Sequence, residues 1–118
     1  MPKQDYYQLG QLTDVAYLIL LALTAPGHGY LIMSKIEEIT AGEVRIGPAS
    51  LYTTLKKIME AGFIRILSEE ETKKVYCITD KGWIALRMEI DKRERYANYG
   101  RKATIEYDNT FCADGGRV

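Results

Sequence analysis

Histidine and cysteine are scarce in this chain. Its 118 residues hold one histidine, His28, and two cysteines, Cys77 and Cys112, set far apart with no paired spacing. A zinc site needs several ligands at suitable spacing, and a disulfide framework needs a patterned set of cysteines, so the sequence excludes both and points to a reducing, cytoplasmic setting. His28 lies in "PGHGY", where a helix-start role outweighs that of a general base. Ser34 and Ser50 have no evident base and orienting partner. There is no glycine-rich phosphate loop. The residues therefore predict no enzyme, no metal and no cofactor.

Long apolar runs are missing too. The strongest, "VAYLILLAL" at Val15–Leu23, falls short of the roughly 20 residues a membrane span needs. The stretch before it mixes Lys3 with Asp5 and Asp14, unlike a basic leader. The run reads as a buried helix, and no membrane partner is expected. Net charge is also lacking: the formal value is zero, so any basic face must be local. With 47% hydrophobic and 27% charged residues, the composition is that of one soluble domain with a modest core.

What is present follows a clear order. "LTDVAYLILLALTAPGHG" predicts a helix that stops before Pro26, Gly27 and Gly29. "YLIMSKIEEIT" places Ile32, Ile36 and Ile39 at helical spacing. After the short "AGEVRIG", Gly47 suits an N-cap and Pro48 the first helical position. Leu51, Leu55, Ile58 and Met59 then form one apolar stripe, and Gly62 suits the left-handed residue beyond the helix. "FIRIL" and "KVYCIT" read as two strands joined by a loop, "SEEETK". Thr79 is an N-cap candidate and Asp80 suits the helix dipole, although glycine at 82 denies a full capping box. The last helix is expected to reach about Lys102, supported by the pairs Glu89–Arg93 and Asp91–Arg95.

Two short helices with a tight connection make a helix-turn-helix, and a hairpin directly after the second makes a wing. The fold class predicted is α+β, mostly α: a winged helix-turn-helix with a long C-terminal helix. Residues 1–78 would form the N-terminal helix and winged unit, 79–104 a dimerisation helix and 105–118 a flexible tail.

The third helix has a polar face its core does not need. Thr53 points away from Leu51, Leu55 and Ile58, flanked by Ala49, Ser50, Lys56 and Lys57, with Tyr52 at the border. Small hydroxyl residues allow close approach to base edges, and lysines further along reach phosphates. Between Arg45 and Arg87, eight basic side chains face five acidic ones, a local excess of three. Lys73 and Lys74 are read at the base of the return strand, touching the DNA backbone while Glu69–Glu71 stay outside.

"GHGYLIMSKIEE", "GPASLYTTLKKIMEAGFI" and "KKVYCITDKG" together resemble the PadR family of bacterial winged-helix transcriptional regulators, over about Leu12–Leu86. The resemblance implies a DNA-contact set of Ser50, Tyr52, Thr53, Lys56 and Lys57, wing contacts from Lys73 and Lys74, and a dimer formed through the last helix. Many relatives have a more basic wing than the "SEEETKK" found here. It also implies double-stranded DNA with a pseudo-palindromic operator as partner, and repression relieved by a small aromatic effector held between protomers, for which nine tyrosines and Trp83 offer flat surface. The competing expectation is a winged-helix protein–protein module that does not touch DNA.

The last helix is apolar on two sides, with Trp83, Leu86, Ile90 and Ala97 on one and Ile84 and Met88 on another. A helix of that kind covers its own domain and something else, most simply a second copy. Tyr6, Tyr7 and Leu9 near the N-terminus are expected to add to that contact.

Overall fold

The structure, a computed structural model, describes residues 11–113, with side chains placed through Ile105 and at Tyr107. Helix α1 spans Asp14–Ala22. The Thr13 hydroxyl oxygen accepts the Ala16 N–H at 3.1 Å and Asp14 sits at the positive end of the helix dipole. Ala16, Ile19 and Leu20 are buried, so the strongest apolar run forms the centre of the core. Helix α2, Gly29–Ile39, begins at His28, whose Nδ1 accepts the Leu31 N–H at 3.4 Å. The only histidine is thus a helix cap.

The turn between α2 and the next helix is fastened by Thr40. Its hydroxyl donates to the Ile36 carbonyl at 2.8 Å and accepts the Val44 N–H at 3.1 Å. Ala41 and Gly42 follow in left-handed conformation, with φ of 53° and 81°. Helix α3, Pro48–Glu60, starts at Gly47 with Pro48 in its first turn and ends in Gly62 at φ 84°, as the sequence led us to expect. It buries Leu51, Thr54, Leu55 and Ile58 against α1 and α2.

Strands β1, Ile64–Glu70, and β2, Lys73–Ile78, form an antiparallel hairpin with an irregularity between Ile66 and Ser68. Here the structure corrects the sequence reading. The expected six-residue loop is a two-residue turn, Glu71–Thr72, because Glu69 lies opposite Lys74 and Glu70 opposite Lys73. Opposite charges facing each other across a ladder extend it where propensity alone would end it.

The hairpin is anchored twice. Gly27, in the α1–α2 connection, exchanges backbone hydrogen bonds with Tyr76 at 3.1 and 2.9 Å. Thr79 donates its N–H to the Phe63 carbonyl at 3.0 Å and its hydroxyl to the Gly62 carbonyl at 2.6 Å. The same hydroxyl accepts the Gly82 N–H at 3.0 Å, capping helix α4, Asp80–Ala113. A Cβ at position 82 would run into the Phe63 carbonyl oxygen. Packing therefore demands the glycine that removed the capping box.

Ala85, Leu86 and Glu89 face the domain. Glu89 is 1% exposed and fully engaged: it accepts the Leu12 N–H at 2.9 Å and the Arg93 Nε–H at 2.7 Å. Arg93 also donates to the Leu12 carbonyl at 3.3 Å, pairs with Asp14 at 2.9 Å and lies over the Tyr17 ring. Burial alone would lower the Arg93 pKa, but the hydrogen bonds it donates to the carboxylates of Asp14 and Glu89 outweigh it and hold the guanidinium above its usual range. A pair read from sequence as local helix support is the clamp that fixes α4 to the start of α1.

A second correction concerns the end of α4. It runs through Ala113 instead of stopping near Lys102, so residues 105–113 of the expected tail are helical. No glycine or proline lies between Lys102 and Ala113 to break it, and the glycines at 115 and 116 lie outside the described residues. At 34 residues the helix is about 51 Å long, far more than its domain can cover. The fold is α+β, mostly α: a winged helix-turn-helix with a long C-terminal helix.

Candidate nucleic-acid interface

The outward side of α3 is assembled by the stripe on its inward side. Burying Leu51, Thr54, Leu55 and Ile58 rotates Ala49, Ser50, Tyr52, Thr53 and Lys56 into solvent. Gly47 offers no side-chain cap, and nothing lies within 4 Å of a Cβ built there, so the positive end of α3 is open. Small side chains surround that end and Lys56 stands one turn on. Lys56 forms no ion pair among the described residues. Lys57 is half-buried on the flank. An open helix end, short hydroxyls and a long cation in this order can approach a polyanion closely and hold it from one side.

Two charged residues on this surface were not singled out by the sequence reading. Arg45 precedes α3 and pairs with Glu37 of α2 at 3.1 Å while its side chain stays 78% exposed. Glu60 lies exposed at the far end of the Thr53 face and sets a limit to the cationic surface. The helical periodicity that identified Thr53 also marks Glu60, seven residues on.

The hairpin is different. Lys73 and Lys74 were placed at the base of the return strand with the glutamates apart from them. The ladder puts both lysines at the tip, each facing a glutamate, with Lys74 Nζ 4.0 Å from Glu69. Strand alternation also sends the two lysines to opposite faces.

Tyr52 is turned toward the hairpin as much as toward solvent. Its ring lies against the start of α2, where a Cβ on Gly29 would collide with its hydroxyl. It separates two concavities: a groove of about 600 Å3 toward α2 and one of about 470 Å3 between α3 and the hairpin. Tyr76 lines both. Burial, with neighbouring Tyr52 and Glu69, pushes the Tyr76 phenol pKa above its usual value.

On α4, Trp83, Ile84, Met88 and Ile90 are 40–53% exposed, and Ala97, Tyr96 and Tyr99 are exposed further along. Leu86, expected in the partner-facing set, is buried in the chain's own core and is unavailable to a partner. Tyr6, Tyr7 and Leu9 lie outside the described residues. Among the described residues no group of three or more His, Cys, Asp or Glu could hold a metal, and no helix is long and apolar enough to cross a membrane.

Comparison with known proteins bears on the family and the fold. The profile of a family described as "Transcriptional regulator PadR-like family" matches residues 18–88. The chain is 34% identical over 83 residues to an uncharacterized 37.1 kDa protein of transposon Tn4556 from Streptomyces fradiae, covering 70% of this chain and 24% of that one. It is 30% identical over 82 residues to the transcriptional regulator YqjI of Escherichia coli K12, covering 68% of this chain and 38% of that one. The chain thus spans well under half the length of these relatives. Its fold is similar to that of a transcriptional regulator from Clostridium thermocellum, with a TM-score of 0.66 at 22% identity over 75% of this chain and 90% of that one.

Proposed function

This chain belongs to the PadR-like family of transcriptional regulators, which are not enzymes, and on that premise we propose that it binds double-stranded DNA of defined sequence as a homodimer. The observation that carries the reading is the outward face of α3: an open helix start at Gly47, small side chains at Ala49, Ser50 and Thr53, then Lys56. The start of α3 enters a major groove, Ser50 and Thr53 lie nearest the base edges, and Lys56 and the half-buried Lys57 reach phosphates from the flank.

The second copy docks on the solvent-facing sides of the first turns of α4. Trp83, Ile84, Met88 and Ile90 form an apolar surface on a helix whose other face already seals the core, and a twofold partner is the simplest cover. Two symmetric α3 helices imply a pseudo-palindromic operator with half-sites about one helical turn, roughly 34 Å, apart. Occupancy of such a site blocks transcription, so the role proposed is repression, relieved by a small aromatic molecule between protomers. Selection from random duplexes at moderate salt tests the reading. An enriched pseudo-palindrome supports it, and an unenriched pool rejects it. Met88→Asp should shift the dimer toward monomer in sedimentation.

One observation favours a second reading, a winged module that docks a protein instead of DNA: the acid-paired hairpin tip. The same selection separates the two.

A further inference from the structure

The groove between the start of α2 and the hairpin has features that the DNA reading does not use. It measures about 600 Å3, within the range of small-molecule sites, and is lined by residues of α2, α3 and both strands. Tyr76 is buried to 6% exposure, yet its hydroxyl makes no hydrogen bond among the described residues and is not sealed from solvent. A phenol held this firmly, with its oxygen unpaired at a groove wall, is poised for a partner from outside the chain.

We propose that this groove binds a small organic cation bearing an aromatic ring. Three tyrosines, Tyr30, Tyr52 and Tyr76, contribute to its walls, and a cation gains from the negative face of each ring it meets. Glu69, Glu70 and Glu71 outnumber Lys73 and Lys74 along the hairpin side, so the lining favours positive charge. Glu69 is held only loosely, 4.0 Å from Lys74, with both side chains more than half exposed. An incoming ammonium can take over that carboxylate at little cost. The missing Cβ of Gly29 lets the Tyr52 ring lie close to α2 and shape the opposite wall. This site lies within one protomer, apart from the effector position proposed between protomers.

Its occupant would touch α2, α3 and the hairpin at once, and so would set the angle between the two elements that face DNA. That consequence rests on the DNA reading, but binding itself does not, so the experiment is done without DNA. Benzylamine, protonated at neutral pH and carrying N–H donors for the Tyr76 oxygen and the Glu69 carboxylate, is titrated into the nitrogen-15-labelled full chain, following amide resonances. Saturable shifts at Gly29, Tyr52, Glu69 and Thr72 are expected. Tyr76→Phe and Glu69→Gln, both folded by their own spectra, should each weaken binding about three- to fivefold. The proposal is overturned by shifts that do not saturate, or by equal shifts from uncharged benzyl alcohol. Shifts confined to Trp83 and Tyr96 of α4, or unchanged affinity in both variants, overturn it as well.

Discussion

Helix α3 and the hairpin each carry two adjacent lysines, and their surroundings differ in every respect that matters for a polyanion. On α3 a step of about 100° per residue leaves Lys56 in open solvent and tucks Lys57 onto the flank. On the hairpin a step of about 180° sends Lys73 and Lys74 to opposite faces. The ladder then brings a glutamate across from each of them. Counting charges along the chain treats the two pairs alike. The geometry of the element decides which cation is available: one lysine of α3 is open, while both lysines of the hairpin are answered by carboxylates.

The largest effect should come from the joint both elements share. Gly62 ends α3, Phe63 leads into β1, Thr79 leaves β2, and Gly82 lies against the Phe63 carbonyl. Gly82→Ala puts a methyl group into a backbone oxygen that cannot rotate away. A loss of about 3 kcal/mol in stability by chemical denaturation is expected. An unchanged midpoint would mean that the joint yields, and that the fixed relation between α3 and the hairpin is not enforced there.

Next is Lys56→Ala. A dimer loses two phosphate contacts, so the slope of log affinity against log salt should fall by about 2, and affinity near 0.15 M salt by about 2 kcal/mol. Operator and scrambled duplexes should weaken alike, because a flexible point charge reads the backbone and not the bases. A change in base preference at unchanged slope would invert the roles assigned to Lys56 and Thr53.

How much of this contrast was legible in the sequence differs between the two elements for a physical reason. The face of α3 follows from local information: a Gly-Pro start, a 3.6-residue stripe and a glycine stop all lie within one short segment. The hairpin tip does not. A glutamate run scores as loop by strand propensity, and only the facing lysines turn it into ladder. The same distinction governs α4. Glu89 and Arg93 are recognisable as a local pair, but the Leu12 and Asp14 partners that make them a clamp come from the other end of the chain. Leu86 lies on the same side of α4 as the buried Ala85 and Glu89, and periodicity in a helix with two apolar sides does not report which of them faces the domain.

Thr53→Ala probes α3 at finer grain. The hydroxyl is short and sits where the helix itself comes closest, so its loss should leave the salt slope unchanged. Preference at one position of each half-site should relax by about 1 kcal/mol, read from competition among single-base operator variants. Uniform weakening across all variants would place Thr53 on the backbone instead.

The smallest effect is the one that tests the comparison most directly. Lys73→Ala/Lys74→Ala removes four cations from a dimer. If all four lay on phosphates, the salt slope would fall by about 3.6, nearly twice the change from Lys56→Ala. The ladder argues for far less. Each lysine faces a glutamate, Lys74 lies 4.0 Å from Glu69, and Glu71 at the turn adds a third acid to the tip. A phosphate approaching this tip meets an ion pair that must open and a carboxylate that repels it. The expected fall in slope is therefore below about 1, with an affinity change of about 0.5 kcal/mol or less. Glu69→Gln/Glu70→Gln supplies the opposite arm. It frees both lysines without adding a cation, so a hairpin lying near the duplex should then bind more tightly and show a steeper slope. No gain in that variant, together with no loss in the lysine variant, would place the hairpin clear of DNA and leave α3 to hold it alone. A fall near 3.6 in the lysine variant would show that DNA outcompetes the cross-strand glutamates, and the distinction between the two lysine pairs would collapse.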